Sequence, residues 1–232
     1  MFYKQRPKGL PIGELPAVGR EDALLFGSFY ALEDDTRRRM EPLLEQAQKA
    51  GAFVYYDPNF RSSHLDERER VMPHVLSNMQ AATVVRGSDE DFGLLFEGRA
   101  TDKRQPFGER ATRLERLYEE SLKRHTAYVI CTCGAEGALL FTPHLRKHYA
   151  APKVETVSTV GAGDNFNAGF LYGLMKEKAA DGIRTADWDE VLQQMGERVW
   201  ERCIEWGLRF ASDVCSQTGN HVSPAFVSKH RE

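Results

Sequence analysis

The sequence predicts an α/β protein built on a mostly parallel sheet with helices on both faces. Short apolar runs, rich in β-branched and aromatic residues, alternate with longer stretches that carry apolar residues at helical spacing. Each run closes on Gly, Pro, Asp or Ser, the residues that end strands. The Gly-rich and charged motifs fall just after the runs, and α/β sheets bind ligands beyond the carboxyl ends of their strands.

Taken in order, residues 2–20 carry Pro7, Gly9, Pro11, Gly13, Pro16 and Gly19 and read as extended linker. Residues 21–232 then form one large domain, as a chain of 232 residues allows. Residues 23–28 are a short apolar run closed by turn residues and predict a buried strand. Residues 35–50 predict a helix, with Met40, Leu43, Leu44 and Ala47 on one face and Gly51 as its stop. A strand over 52–56 ends at Asp57-Pro58-Asn59, and a helix follows through Val71, Val75 and Leu76. Residues 81–85 predict the third strand, 90–96 and 110–124 helices, and 127–131 the fourth strand. The runs 138–141 and 147–150 flank a Thr-Pro-His turn and predict a hairpin. The stretch from Trp188 to Cys215 is apolar at helical spacing, with Gly196 and Gly207 as points of division or bending.

Composition removes several function classes. A net charge of -3 with mixed signs leaves no basic stripe, so no nucleic-acid partner is expected. No apolar run approaches the roughly 20 residues of a membrane helix, and Met1–Arg6 lacks a signal-peptide core. The expectation is a soluble, cytoplasmic protein without a membrane partner. Cys131, Cys133, Cys203 and Cys215 form neither a Cys-x-x-Cys redox pair nor a zinc pattern and read as buried, reduced thiols. His144 and His148 sit around a turn with no third ligand, so no metal is expected there.

The most informative stretch is Val157-Ser158-Thr159-Val160-Gly161-Ala162-Gly163-Asp164, which runs into Asn165-Phe166-Asn167-Ala168-Gly169-Phe170. A β-branched run meets a Gly-Ala-Gly turn, an acid, and then a helical pattern. Free N–H groups and the dipole at such a helix start favour an anion such as phosphate. Asp164 beside that anion has the chemistry of a general base for a hydroxyl. Read from the residues alone, the same string also fits an ordinary helix start, because Asp complements the dipole in a first turn.

The string Thr159-Val160-Gly161-Ala162-Gly163-Asp164 with Phe166 and Ala168-Gly169-Phe170 resembles the C-terminal signature of the ribokinase-like (PfkB-type) carbohydrate kinases. The match lies nearest to fructokinase and 2-keto-3-deoxygluconate kinase-like members. The resemblance implies a three-layer α/β/α ribokinase-like fold and transfer of the γ-phosphoryl group of ATP to a sugar hydroxyl, with Mg²⁺ bridging phosphates. It implies that Asp164 is the catalytic base and that the N–H groups of Gly161, Ala162 and Gly163 form the anion hole. Ser158 stands where the family often has Asp, and no role is carried onto it.

Three further motifs match in the same register. Thr132-Cys133-Gly134-Ala135-Glu136-Gly137 resembles the family's Thr-x-Gly-x-x-Gly nucleotide loop, which implies that Thr132, Gly134 and Gly137 line the ATP site; alone it is an ordinary turn. Ser88 and Asp91 stand where the family has an Asn-x-x-Glu motif. Asp91 then reaches Mg²⁺ through water, while by themselves the two residues read as a helix cap. Asp57-Pro58-Asn59-Phe60-Arg61 resembles a fructokinase-like pattern and puts Asn59 and Arg61 near the phosphates or the sugar; a Pro turn of this kind is also commonly structural. Residues 211–219, with Ser212 and Gly219, resemble the segment beside the adenine and read equally as a helix end with a Gly stop.

Family members begin with a strand, a Gly-Gly-x-x-x-Asn substrate motif and a small β lid, and none of these strings precedes Phe26. The expectation is a fold whose N-terminal strands and most of whose lid are missing, with residues 1–20 a linker or lid remnant. Two functional readings follow: an active sugar kinase, or a nucleotide-binding remnant without transfer activity. Uncovered apolar surface would favour self-association, a homodimer being the simplest form. A dinucleotide-binding oxidoreductase and a P-loop NTPase are disfavoured, since neither Gly-x-Gly-x-x-Gly nor Gly-x-x-x-x-Gly-Lys-Ser/Thr occurs.

Overall fold

The strand Phe53–Asp57 explains why the molecule has three layers. Successive side chains of a strand point to opposite faces, and all five residues of this one are buried. Val54 and Tyr56 join one core cluster while Phe53 and Tyr55 join the other, so both faces of the sheet need cover. The computed structural model describes residues 15–180 and 188–230. Residues 1–14 of the expected linker lie outside the described residues; 15–22 contain neither helix nor strand.

Six strands form one sheet in sequence order. Strands β1 (Ala23–Gly27), β2 (Phe53–Asp57), β3 (Val84–Ser88) and β4 (Val129–Thr132) run parallel; β5 (Ala138–Phe141) and β6 (Arg146–Tyr149) add an antiparallel hairpin. Helices α1 (Asp34–Ala50), α2 (Arg68–Ala81), α3 (Asp89–Phe92) and α4 (Phe107–Glu120) lie in the crossovers. Ala47, Val71, Phe92 and Leu114 from these helices pack with Val54 and Tyr56 on one face. The other face is covered by α5 (Ala162–Ala180), α6 (Trp188–Gln194) and α7 (Glu197–Cys215), through Phe166, Phe170, Trp188 and Trp200. A short α8 (Pro224–Lys229) closes the described chain. The two helical layers therefore come from different parts of the sequence: the crossovers build one and the C-terminal helices the other.

Helix α1 stops as expected, with Gly51 in the left-handed region at φ 70°. Helix α4 ends at Glu120, and Leu122–Arg124 follows as a separate 3₁₀ turn. Three expectations need correction. The first strand is not buried: among the described residues β1 pairs only with β2, and Leu25 is 44% exposed. The third strand starts at Val84 rather than Ala81, because α2 runs on through Ala81. Gly196 does divide the last apolar stretch, as the cap of α7. Gly207 does not divide it: α7 runs on through this position, with the Phe166 ring 2.9 Å from where a Cβ would sit. The close α5–α7 contact depends on such positions: a Cβ at Gly169 would come within 2.5 Å of the Trp206 carbonyl.

His148 reaches the Glu136 carbonyl at 2.5 Å and packs on Phe107; His144 lies in the turn before β6. Among the described residues, no helix is long and apolar enough to cross a membrane. Cys131, Cys133 and Cys203 are buried, but Cys215 is only half-buried at the end of α7, which corrects the expectation of four buried thiols. Burial raises the Cys131 thiol well above its ordinary range and pushes Cys203 up to about 12. A thiol-specific reagent at pH 8 should therefore label Cys215 in the folded protein and reach the other three only after denaturation. Rapid native labelling of Cys131 or Cys203 would contradict this packing.

Candidate active site

Strands β2, β3 and β4 end in Asp57, Ser88 and Thr132, and all three ends open onto one cleft of about 1280 Å³. A parallel sheet presents its strand ends together on one edge, so motifs far apart in sequence converge there. Of the residues singled out from the sequence, Asn59, Arg61, Ser88, Asp91, Thr132, Gly134, Gly161, Gly163 and Asp164 line this cleft. Ala162, Gly137, Ser212 and Gly219 do not.

The turn into α5 is shaped by its glycines. Gly161 has φ 79°, a conformation that a side chain strains. The Ala162 N–H donates to the Thr159 carbonyl at 3.3 Å, and Asn165 Nδ2 donates to the carbonyls of Gly161 and Asn220, both at 2.9 Å. That last bond ties the segment after Gly219 to the turn. The run before the turn stays outside the sheet; the amides of Val157 and Ser158 both donate to the Cys215 carbonyl. Asp164 stands in the first turn of α5 with its side chain exposed to the cleft. An uncommitted carboxylate here lies beside the unpaired amides that a helix start supplies.

Beneath the turn lies a buried network that the sequence reading missed. Arg86 Nη1 donates to Asp57 Oδ2 at 2.8 Å and Nη2 to Thr132 Oγ1 at 2.7 Å. Asn167 Nδ2 donates to the same Asp57 oxygen at 2.7 Å, and the Asn59 amide donates to Asp57 Oδ1 at 3.1 Å. Burial is the largest influence on Arg86 and opposes its charge, but Asp57, Tyr55 and Asp91 together outweigh it and hold the guanidinium above its ordinary range. Arg86 also lies 5.6 Å from the centre of the Phe166 ring. One signal for this network was present: a charged residue directly after the apolar pair Val84-Val85, inside a strand with buried residues on both sides. Asn167, three residues after Asp164, carried no local signal beyond its helical spacing.

Ser88 caps α3. Its Oγ accepts from the Asp91 amide at 3.1 Å, while Asp91 Oδ2 accepts from the Ser88 amide at 2.7 Å and from its hydroxyl at 2.5 Å. Asp91 Oδ1 is buried without a hydrogen-bond partner. Burial holds this carboxyl above the usual carboxylate range, and the Ser88 hydrogen bonds work against that. One carboxylate beside phosphates suits Mg²⁺, which keeps several waters and needs few protein ligands. Asn59 has φ 42°, a left-handed conformation that Asn tolerates better than most side chains. Its neighbour Arg61 is exposed on the rim.

The remaining candidates serve the frame around the cleft. Gly137 precedes β5, and a Cβ there would lie 2.0 Å from the Tyr149 carbonyl. Ser212 is buried on α7, and its carbonyl accepts from the Ser216 amide. Gly219 lies in the turn after α7, next to His221.

A family profile described as pfkB family carbohydrate kinase matches residues 5–224. A fructokinase of Rhizobium leguminosarum bv. trifolii is 28% identical over 195 residues, covering 82% of this chain and 55% of the relative. The aminoimidazole riboside kinase of Salmonella typhimurium is 26% identical over 174 residues, covering 75% of this chain and 50% of the relative. The chain thus spans about half the length of the curated relatives it matches. Among solved structures, a Vibrio cholerae fructokinase bound to fructose, ADP and calcium superposes with a TM-score of 0.69 at 22% identity, covering 94% of this chain and 63% of that one. The Salmonella enterica aminoimidazole riboside kinase with its riboside and an ATP analogue gives 0.71 at 20% identity, covering 93% and 64%. These likenesses show the ribokinase-like fold.

The Ser88 cap makes a measurable claim. Ser88→Ala should cost about 0.5–2 kcal/mol in chemical denaturation, the range for lost caps. It should also raise the Asp91 pKa further, since a hydrogen bond to the ionised form is lost. A raised carboxyl pKa contributes stability below its unfolded value and loses it as pH rises through its folded value. The stability of Ser88→Ala should therefore fall more steeply toward neutral pH than that of the parent.

Proposed function

The chain belongs to the pfkB family of carbohydrate kinases, and on that premise we propose that it transfers the γ-phosphoryl group of ATP to a sugar hydroxyl. The observation that carries this reading is the convergence of the Gly161 turn, Asp164, Asn59, Arg61, Thr132 and Gly134 on one cleft. Asp164 takes the proton of the acceptor hydroxyl. The freed oxygen attacks the γ-phosphorus, the bond to the bridging oxygen breaks, and ADP leaves. The amides of Gly161 and Gly163 face the charge that builds on the phosphoryl oxygens. The Ala162 amide joins them by exchanging its 3.3 Å bond to Thr159 for the phosphoryl group.

Thr132 and Gly134 lie on the nucleotide side of the cleft, with Gly137, Ser212 and Gly219 shaping the segments behind it. Asn59 and Arg61 lie on the acceptor side, where the donor fork of Arg61 suits a phosphate or carboxylate. Asp91, with Ser88 fixing its other oxygen, holds Mg²⁺ through water. When bound, the metal neutralises phosphate charge and orients the γ-group. Such transfer depends mainly on positioning and electrostatic stabilisation. The names of the relatives make ketohexoses and ribosides the first acceptors to test.

The test is sugar-dependent ADP release from Mg-ATP by the purified chain, with Asp164→Asn as control. Removal of the base should lower turnover roughly a hundredfold to ten-thousandfold and leave nucleotide affinity nearly unchanged. Equal turnover in Asp164→Asn would remove Asp164 as the base. Nucleotide binding without turnover over a panel of ketoses, aldoses, sugar acids and nucleosides would favour a binding role over catalysis.

A further inference from the structure

Arg86 joins three strands and one helix that line the cleft. It lies in the middle of β3, bonds Asp57 at the end of β2 and Thr132 at the end of β4, and lies against the first turn of α5. The α5 contact is close: a Cβ placed on Gly163 would sit 3.0 Å from Arg86 Nη1 and 3.2 Å from Nη2. Gly163 therefore rests on the guanidinium with no side chain between them. The Asp57 carboxylate that holds this guanidinium also holds Asn167, one turn further along α5, and the Asn59 amide. The side chain is buried, yet Nε has no partner. An arrangement selected for stability alone would not require a buried charge, because desolvation offsets most of the attraction within such a pair. It does give fixed geometry: a planar fork sets two directions at once, which a flexible ammonium does not.

We propose that Arg86 is a positioning residue for phosphoryl transfer, its guanidinium setting the height and tilt of the Gly163 turn and so aiming the anion-hole amides and Asp164. This deepens the kinase reading and rests on it. Asp57 is the counter-charge that fixes the fork, and Asn167 ties the helix to the same oxygen. Thr132 is held by the other arm, so the nucleotide loop and the anion turn share one support. Displacement of the turn by about an ångström would then be felt in transfer far more than in ground-state binding, since misplacement on that scale can cost on the order of a hundredfold in rate.

The experiment compares the parent with Arg86→Lys, which keeps the charge and loses the fork, and with Arg86→Met/Asp57→Asn, which removes both charges so that neither is left buried alone. The first readout is the split between kcat and KM for ATP. Arg86→Lys should lower kcat by about a hundredfold with KM for ATP changed less than about threefold. Full kcat in Arg86→Lys would overturn the inference, because charge alone would then suffice. The second readout needs no turnover: the backbone amide resonances of Gly161, Ala162 and Gly163 should move in both variants, while those of α4 and α8 stay in place. Unmoved turn resonances in folded Arg86→Lys would overturn positioning whatever the activity. Moved resonances in a chain whose parent gives no sugar-dependent turnover would support the structural link and count against the kinase reading alone.

Discussion

The buried pair of Arg86 and Asp57 is the contact on which the rest of the cleft depends. Both groups are over nine-tenths buried, and each has a further partner: Thr132 for the guanidinium, Asn167 and the Asn59 amide for the carboxylate. A buried ion pair gains little net stability over apolar packing, but loss of one partner strands a charge and costs several kcal/mol. The pair is therefore a strong constraint and a weak stabiliser. Three strands and one helix start are held in register by groups that cannot be separately displaced.

Around that centre the two helical layers do different work. The crossover helices and their face of the sheet form a conventional apolar core, with Tyr56 stacked on Phe26 and Tyr118 on Phe141. The opposite layer has the added task of holding the Gly161 turn at the cleft. Close approach of α5 and α7 along Gly169 and Gly207 fixes the axis of α5, and the Cys215 carbonyl fixes the two amides that lead into the turn. The start of α5 is thus supported from below by Arg86, from behind by α7, and from the side by Asn165 and Asn220. A site that stabilises developing charge with backbone amides needs such support, because those amides act only if they are already aimed.

The acidic residues of the cleft have unequal freedom. Asp57 is committed to Arg86, and Asp91 to the Ser88 cap through one oxygen. Asp89 points away to a buried pair with Arg110 at 2.6 Å. Asp164 alone of these four is exposed. Environment therefore divides carboxylates of the same chemistry: three are committed to partners and one is left open to the cleft.

Local signals in the sequence were enough for the alternation of strands and helices, the Gly51 stop, the Ser88 cap and the Gly161 turn. Each depends on backbone preference within a few residues: Gly51 and Gly161 adopt the positive φ that their lack of a side chain permits. The motif string also put Asp164 in the first turn of a helix, where the structure has it exposed on the cleft. Local preference could not show that β1 pairs with β2 alone among the described residues, because a short apolar run reads the same with one neighbour as with two. Nor could it show Arg86. Its partners lie 29 and 46 residues away, and Asn167 lies 110 residues from the Asp57 that it shares. Pairings at such separations exist only once the sheet has brought its strand ends together, so the tertiary structure alone decided which charge lies beneath the Gly161 turn.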